Sequence, residues 1–133
     1  MGLVGFFKSL LGICVTKPLS GELWSLEGNR ARVKLSQMPE PLPKGGVVYL
    51  EGQGLAKPVL LLRTEDDRYL AFENRCTHAG RKLDPVHGES LIRCCSLGHS
   101  TFDYEGTKLS GPAKGPLTRY DVEQSDGDLI ITI

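Results

Sequence analysis

Short apolar runs, many of them alternating with polar residues, recur along this chain from about residue 31 to its end. They predict strands over 31–36 (ARVKLS), 46–51 (GVVYLE), 57–63 (KPVLLLR), 68–73 (RYLAFE), 89–94 (ESLIRC), 100–104 (STFDY), 117–123 (LTRYDVE) and 128–133 (DLIITI). The segments "QMPEPLPKGG" and "SGPAKGPL" carry the prolines and glycines that interrupt regular structure. "EDDR" and "SDGD" read as hairpin turns, the second through an Asp-Gly pair suited to tight turning. Only the N-terminus has a helical period. Leu3, Phe6, Phe7, Leu10, Leu11 and Ile13 share one face, with Lys8 and Ser9 opposite. The pattern therefore predicts an all-β antiparallel sandwich or barrel after a short N-terminal helix. Residues 1–30 would form the amphipathic helix and a linker anchored by Trp24, and residues 31–133 the main domain.

The chain has 133 residues, enough for a single core. Its 16 basic and 16 acidic residues cancel, so no global field recruits nucleic acid or an anionic surface. The N-terminal helix is too short to span a bilayer. Packing on its own domain, lying on a membrane surface and docking on a partner through residues 3–14 all remain open. No positively charged leader or small-residue cleavage site marks export, so a cytoplasmic, reducing compartment is expected.

The chemistry lies in the cysteines and histidines. "RCTHAG" holds Cys76 and His78; "RCCSLGHSTFD" holds Cys94, Cys95 and His99. Both clusters fall in turns that follow predicted strands, so one sheet can bring two loops together, each with one thiolate and one imidazole. Alternate residues share a face, which suits Cys-x-His. Three readings compete. Structural zinc prefers wider local spacing. A redox disulfide would favour Cys-x-x-Cys, which is absent. An iron–sulfur centre can carry two cysteines on one iron and two histidines on the other.

The stretch from 76 to 116 resembles the Rieske proteins. It has Cys76-x-His78, sixteen intervening residues, Cys95 and a downstream His99, then an aromatic-Asp pair, Phe102-Asp103, and a Gly111-Pro112 loop. The resemblance implies a Rieske-type antiparallel β-sandwich with a small cluster-binding subdomain. It also implies one 2Fe-2S cluster held by Cys76, His78, Cys95 and His99. The second loop departs from the family pattern. Cys-x-x-His-Gly becomes Cys95-Ser96-Leu97-Gly98-His99, an exchange of Gly and His that leaves the trailing "STFD" in register. Glycine before His99 permits unusual backbone angles for reaching iron. Cys95 keeps the family's distance to Phe102, so Cys94 is expected on the opposite strand face, in a core.

Around this set, Ser100 is a candidate hydrogen-bond donor to cluster sulfur. Arg81 and Lys82 are either solvated charge or a docking edge for an acidic partner. His87 is read as a loop residue and Cys14 as a packing residue. High-potential family members brace their loops with a disulfide, where this chain has Arg81 and Leu97. A substrate-binding iron would need two more histidines and a carboxylate, and only His87 is left. No glycine-rich dinucleotide motif opens a helix. The expectation is a single-electron carrier between a reductase and a terminal oxygenase or reductase, not an enzyme. The alternative is a Rieske-like interaction subunit with zinc or no cluster.

Overall fold

The computed structural model describes residues 16–38, 42–75, 82–86, 90–94, 100–111 and 113–133. In chain order the strands are β1 (Trp24–Glu27), β2 (Arg30–Val33), β3 (Val47–Leu50), β4 (Val59–Arg63), β5 (Tyr69–Glu73) and β6 (Leu83–Val86), then β7 (Leu91–Cys94), β8 (Thr101–Asp103), β9 (Lys108–Ser110), β10 (Arg119–Ser125) and β11 (Asp128–Thr132). One turn of 3-10 helix at Leu35–Gln37 is the only helical element among the described residues. The expected N-terminal helix lies outside them.

The strands form two sheets, one of seven strands in the order β1-β2-β11-β10-β5-β4-β3 and one of four in the order β6-β7-β8-β9. All pairings between these strands are antiparallel. Strand β4 explains the layering. Val59, Leu60, Leu61 and Leu62 are all buried, as expected for a strand covered on both faces. Side chains alternate, so Leu60 and Leu62 join Tyr49, Leu70 and Phe72 on one face. Leu83, Ile92, Cys94 and Phe102 of the smaller sheet pack against that face.

Val59 and Leu61 face the other way, with Leu50 and Ala71, into a second core with Trp24, Ala31, Val33, Leu129 and Ile131. Residues from opposite ends of one sheet share this core, so the sheet must curl over itself. Strand β10 makes the corner: only Arg119 and Tyr120 pair with β5, whereas Asp121–Ser125 pair with β11.

All eight predicted strands are present within a few residues of their expected limits. Both predicted hairpin turns are there too. Asp126 and Gly127 have φ values of 53° and 80°, the left-handed pair that a two-residue turn demands. Three details differ. Trp24–Glu27, read as linker, is strand β1, because Trp24 belongs to the second core rather than to a solitary anchor. The end of predicted strand 31–36 turns into the 3-10 helix. Strands β6 and β9 were not expected. Strand β6 contains Pro85 and lies at a sheet edge, where a missing donor is tolerated. Strand β9 is exposed throughout, so it has no hydrophobic signature.

Candidate metal centre

One end of the smaller sheet collects three connections. Leu83, the first residue of β6, pairs with Cys94, the last of β7. The Cys94 N–H donates to the Ser100 carbonyl at 2.8 Å, closing the connection between β7 and β8. Thr101, the first residue of β8, pairs with Ser110, the last of β9, and Gly111 follows. Chain segments 76–81, 95–99 and 111–113 therefore all join the sheet at this end. The first carries Cys76 and His78, the second Cys95 and His99, and the third Pro112. Those five residues lie outside the described residues, as do Cys14, Arg81, His87 and Gly98. The described residues supply the frame into which these segments run.

The frame includes the first of the adjacent cysteines. Cys94 is fully buried in the first core, among Leu83, Ile92 and Phe102. This is the place expected for a small apolar thiol that packs rather than ligates. Phe102 is also fully buried there and pairs with Ile92. Asp103 works at the opposite end of β8. Its Oδ1 accepts the Glu105 and Thr107 N–H groups, both at 2.9 Å, and so shapes the turn into β9.

Ser100 joins the second and third segments. It is fully buried, and its Oγ accepts the Ala113 N–H at 2.9 Å. A hydroxyl that accepts in this way keeps its own proton to donate. Gly111 presses against the same residue. Its φ is 91°, and a Cβ there would overlap the Ser100 backbone and come within 2.9 Å of Ser100 N and Oγ. No larger side chain fits.

The sequence reading missed a buried polar cluster beside the first segment. Asn74 ends the chain's run out of β5, and its Oδ1 accepts the Leu83 N–H at 2.9 Å. The Tyr49 hydroxyl is 2.6 Å from Leu83 O and 3.0 Å from Asp84 Oδ1. The Thr16 N–H also reaches Asp84 Oδ1, at 3.3 Å. Burial first, and then the Asp84 carboxylate, push the Tyr49 hydroxyl well above its ordinary pKa. The available signal was weak: an Asn between a strand and a Cys-x-His turn. Lys82, a candidate docking residue, is exposed but forms an ion pair with Glu51 and lies 5.4 Å from the centre of the Tyr49 ring.

A groove of about 530 Å³ lies between β5 and β10, lined by Tyr69, Arg119, Tyr120, Asp121, Val122 and Glu123. It belongs to the seven-stranded sheet and is not part of the frame just described.

The family model of the Rieske [2Fe-2S] domain matches residues 31–121, more than half of the chain, and the chain belongs to this family. Membership implies one 2Fe-2S cluster, and the donor set of two thiols and two imidazoles in two segments running to one sheet end fits it. The chain is 30% identical over 96 residues to a 3-phenylpropionate/cinnamic acid dioxygenase ferredoxin subunit of Photorhabdus laumondii, covering 71% of this chain and 88% of that one. It is 37% identical over 75 residues to a carotenoid phi-ring synthase of Chlorobaculum tepidum, covering 56% of this chain and spanning only 11% of that protein. Among solved structures, the ferredoxin of carbazole 1,9a-dioxygenase from Nocardioides aromaticivorans IC177 superimposes with a TM-score of 0.58 at 29% identity. That match covers 74% of this chain and 90% of the other. No helix among the described residues is long and apolar enough to cross a membrane.

Proposed function

We propose that this chain is a single-electron carrier whose 2Fe-2S cluster is held by Cys76, His78, Cys95 and His99. Its electrons pass between a reductase and a terminal oxygenase or reductase. The observation that carries the ligand assignment is the burial of Cys94 in the first core, at the strand end from which the second segment departs. Successive side chains on a strand face opposite sides, so Cys95 is the member of the pair available to a metal. The carrier role is supported by the likeness to two dioxygenase ferredoxins over most of their lengths.

When bound, a cluster with two neutral imidazoles in place of two thiolates accepts one electron at a higher potential than an all-cysteine cluster, within about −150 to +300 mV. Cys76 and Cys95 would hold one iron and His78 and His99 the other. Arg81 and Leu97 stand where high-potential members carry bridging cysteines, so the lower part of that range is expected. In this reading the chain itself transforms no substrate.

Iron and sulfide analysis of anaerobically purified protein, with electron paramagnetic resonance of the reduced form, tests the reading. Two irons and two sulfides per chain are expected. Stoichiometric zinc, or no metal after reconstitution, would refute it. Cys95→Ser should abolish the spectrum and Cys94→Ala should leave it nearly unchanged. Stimulation of cytochrome c reduction by a NAD(P)H-dependent ferredoxin reductase then tests the carrier role.

A further inference from the structure

Strand β6 is the outermost strand of the smaller sheet, yet both backbone polar groups of its first residue are bonded. In the Leu83–Cys94 pair, Cys94 directs its N–H to Ser100, away from β6. A strand residue's N–H and C=O point to the same side, so this is a pair that exchanges no hydrogen bonds. Leu83 therefore turns its own N–H and C=O outward, where a further strand would lie.

Two side chains from the seven-stranded sheet substitute for that strand. Asn74 Oδ1 accepts the Leu83 N–H at 2.9 Å, and Tyr49 Oη donates to the Leu83 carbonyl at 2.6 Å. Both are themselves fixed. The Asn74 N–H donates to Pro58 O at 2.8 Å, and the Tyr49 N–H to Lys17 O at 3.1 Å. Asn74 is 1% exposed and Tyr49 is 2% exposed.

Asn74 and Leu83 are also the residues that bracket the first ligand-bearing segment. Their bond closes it with a side chain, as the Cys94–Ser100 bond closes the second with backbone. We infer that Asn74 and Tyr49 are positioning residues for the cluster: by gripping Leu83 they fix the Cys76–His78 segment relative to Cys95 and His99. The inference rests on the proposed ligand set. It assigns a task to residues outside that ligand set.

Asn74→Ala leaves a buried N–H without its acceptor, a loss comparable to one buried hydrogen bond. Cluster loss to a chelator should then accelerate about tenfold, the rate equivalent of that loss. The reduced-state g values should move, at a temperature where far-ultraviolet circular dichroism is unchanged. Asn74→Asp keeps an acceptor at the same reach and should restore slow loss. Tyr49→Phe, which removes the hydroxyl from the Leu83 carbonyl and from Asp84 Oδ1 but leaves the Leu83 N–H bonded to Asn74, should produce a smaller acceleration and serves if Asn74→Ala does not fold. Leu129→Val, in the second core, is the control for general destabilisation and should change neither reading.

Equal effects of Asn74→Ala and Leu129→Val, or unchanged cluster loss and g values in both brace variants, would overturn the inference. A wild-type chain that takes up no cluster would instead overturn the ligand assignment beneath it. The two failures are told apart by hydrogen exchange at the Leu83 amide, which stays slow in wild type with or without a cluster.

Discussion

Gly111→Ala would separate the third segment from the frame, and its cost can be worked from two features. The φ of 91° lies where a side chain meets its own carbonyl, which costs about 1–2 kcal/mol. The added methyl would also overlap the Ser100 backbone, and Ser100 is fully buried and hydrogen-bonded to Ala113. The overlap is relieved only by moving the segment, which strains or breaks that bond and adds about 1 kcal/mol. A total of about 2–3 kcal/mol should lower the melting temperature by about 10 °C for a chain of this size. Thermal and urea unfolding of wild type and variant, followed by circular dichroism, measure it. Ser100→Ala supplies the comparison, since it removes the bond without the overlap and should cost less. A Gly111→Ala melting point within about 2 °C of wild type would show that the segment yields freely, and that the contact between Gly111 and Ser100 constrains nothing.

Three further outcomes follow from the geometry. The Tyr49 hydroxyl is raised by burial and by Asp84, so its stabilisation is fully present below the ordinary tyrosine pKa of about 10 and is lost as pH rises toward the folded value. Urea midpoints should fall above that pH in wild type and stay flatter in Tyr49→Phe; parallel curves would contradict this. Phe102→Ala empties a fully buried site between the sheets and should cost about 3–5 kcal/mol in equilibrium unfolding. The Asp66 carboxyl is held below its ordinary range chiefly by the Thr64 hydroxyl, so Thr64→Ala should move its nuclear magnetic resonance titration upward, with no movement disproving the assignment.

What was legible in the sequence follows from what burial imposes. The runs at 57–63 and 68–73 announce strands because β4 and β5 lie between two cores, and almost every residue there must be apolar. Strand β9 is exposed at all three positions and leaves no such trace, while β6 holds its place at the sheet edge despite Pro85. Trp24 was visible as an anchor but not as part of a strand, since core partners such as Leu129 and Ile131 lie far along the chain. Periodicity records which face a residue turns, not which distant residue it meets. The brace on Leu83 escaped for the same reason: Tyr49 is 34 residues from the carbonyl it holds, and nothing local to either residue marks the bond.

The exchange of Gly98 and His99 can be weighed against the same frame. Counted along the sequence, Cys95 keeps the family's distance to Phe102 and Asp103, as an exchange requires and an insertion would not. Cys94, Ser100 and Phe102 lie in the hairpin of β7 and β8, and all three are fully buried. An exchange of two neighbours changes no length and leaves both strand ends where they are. It alters only which residue of a fixed-length segment carries the imidazole, and glycine is the residue that adds the most backbone freedom beside it. The spacing from Cys95 to Phe102 thus carries the reading of an exchange, and the burial of Cys94 in the first core is what supports proposing Cys95 as the ligand.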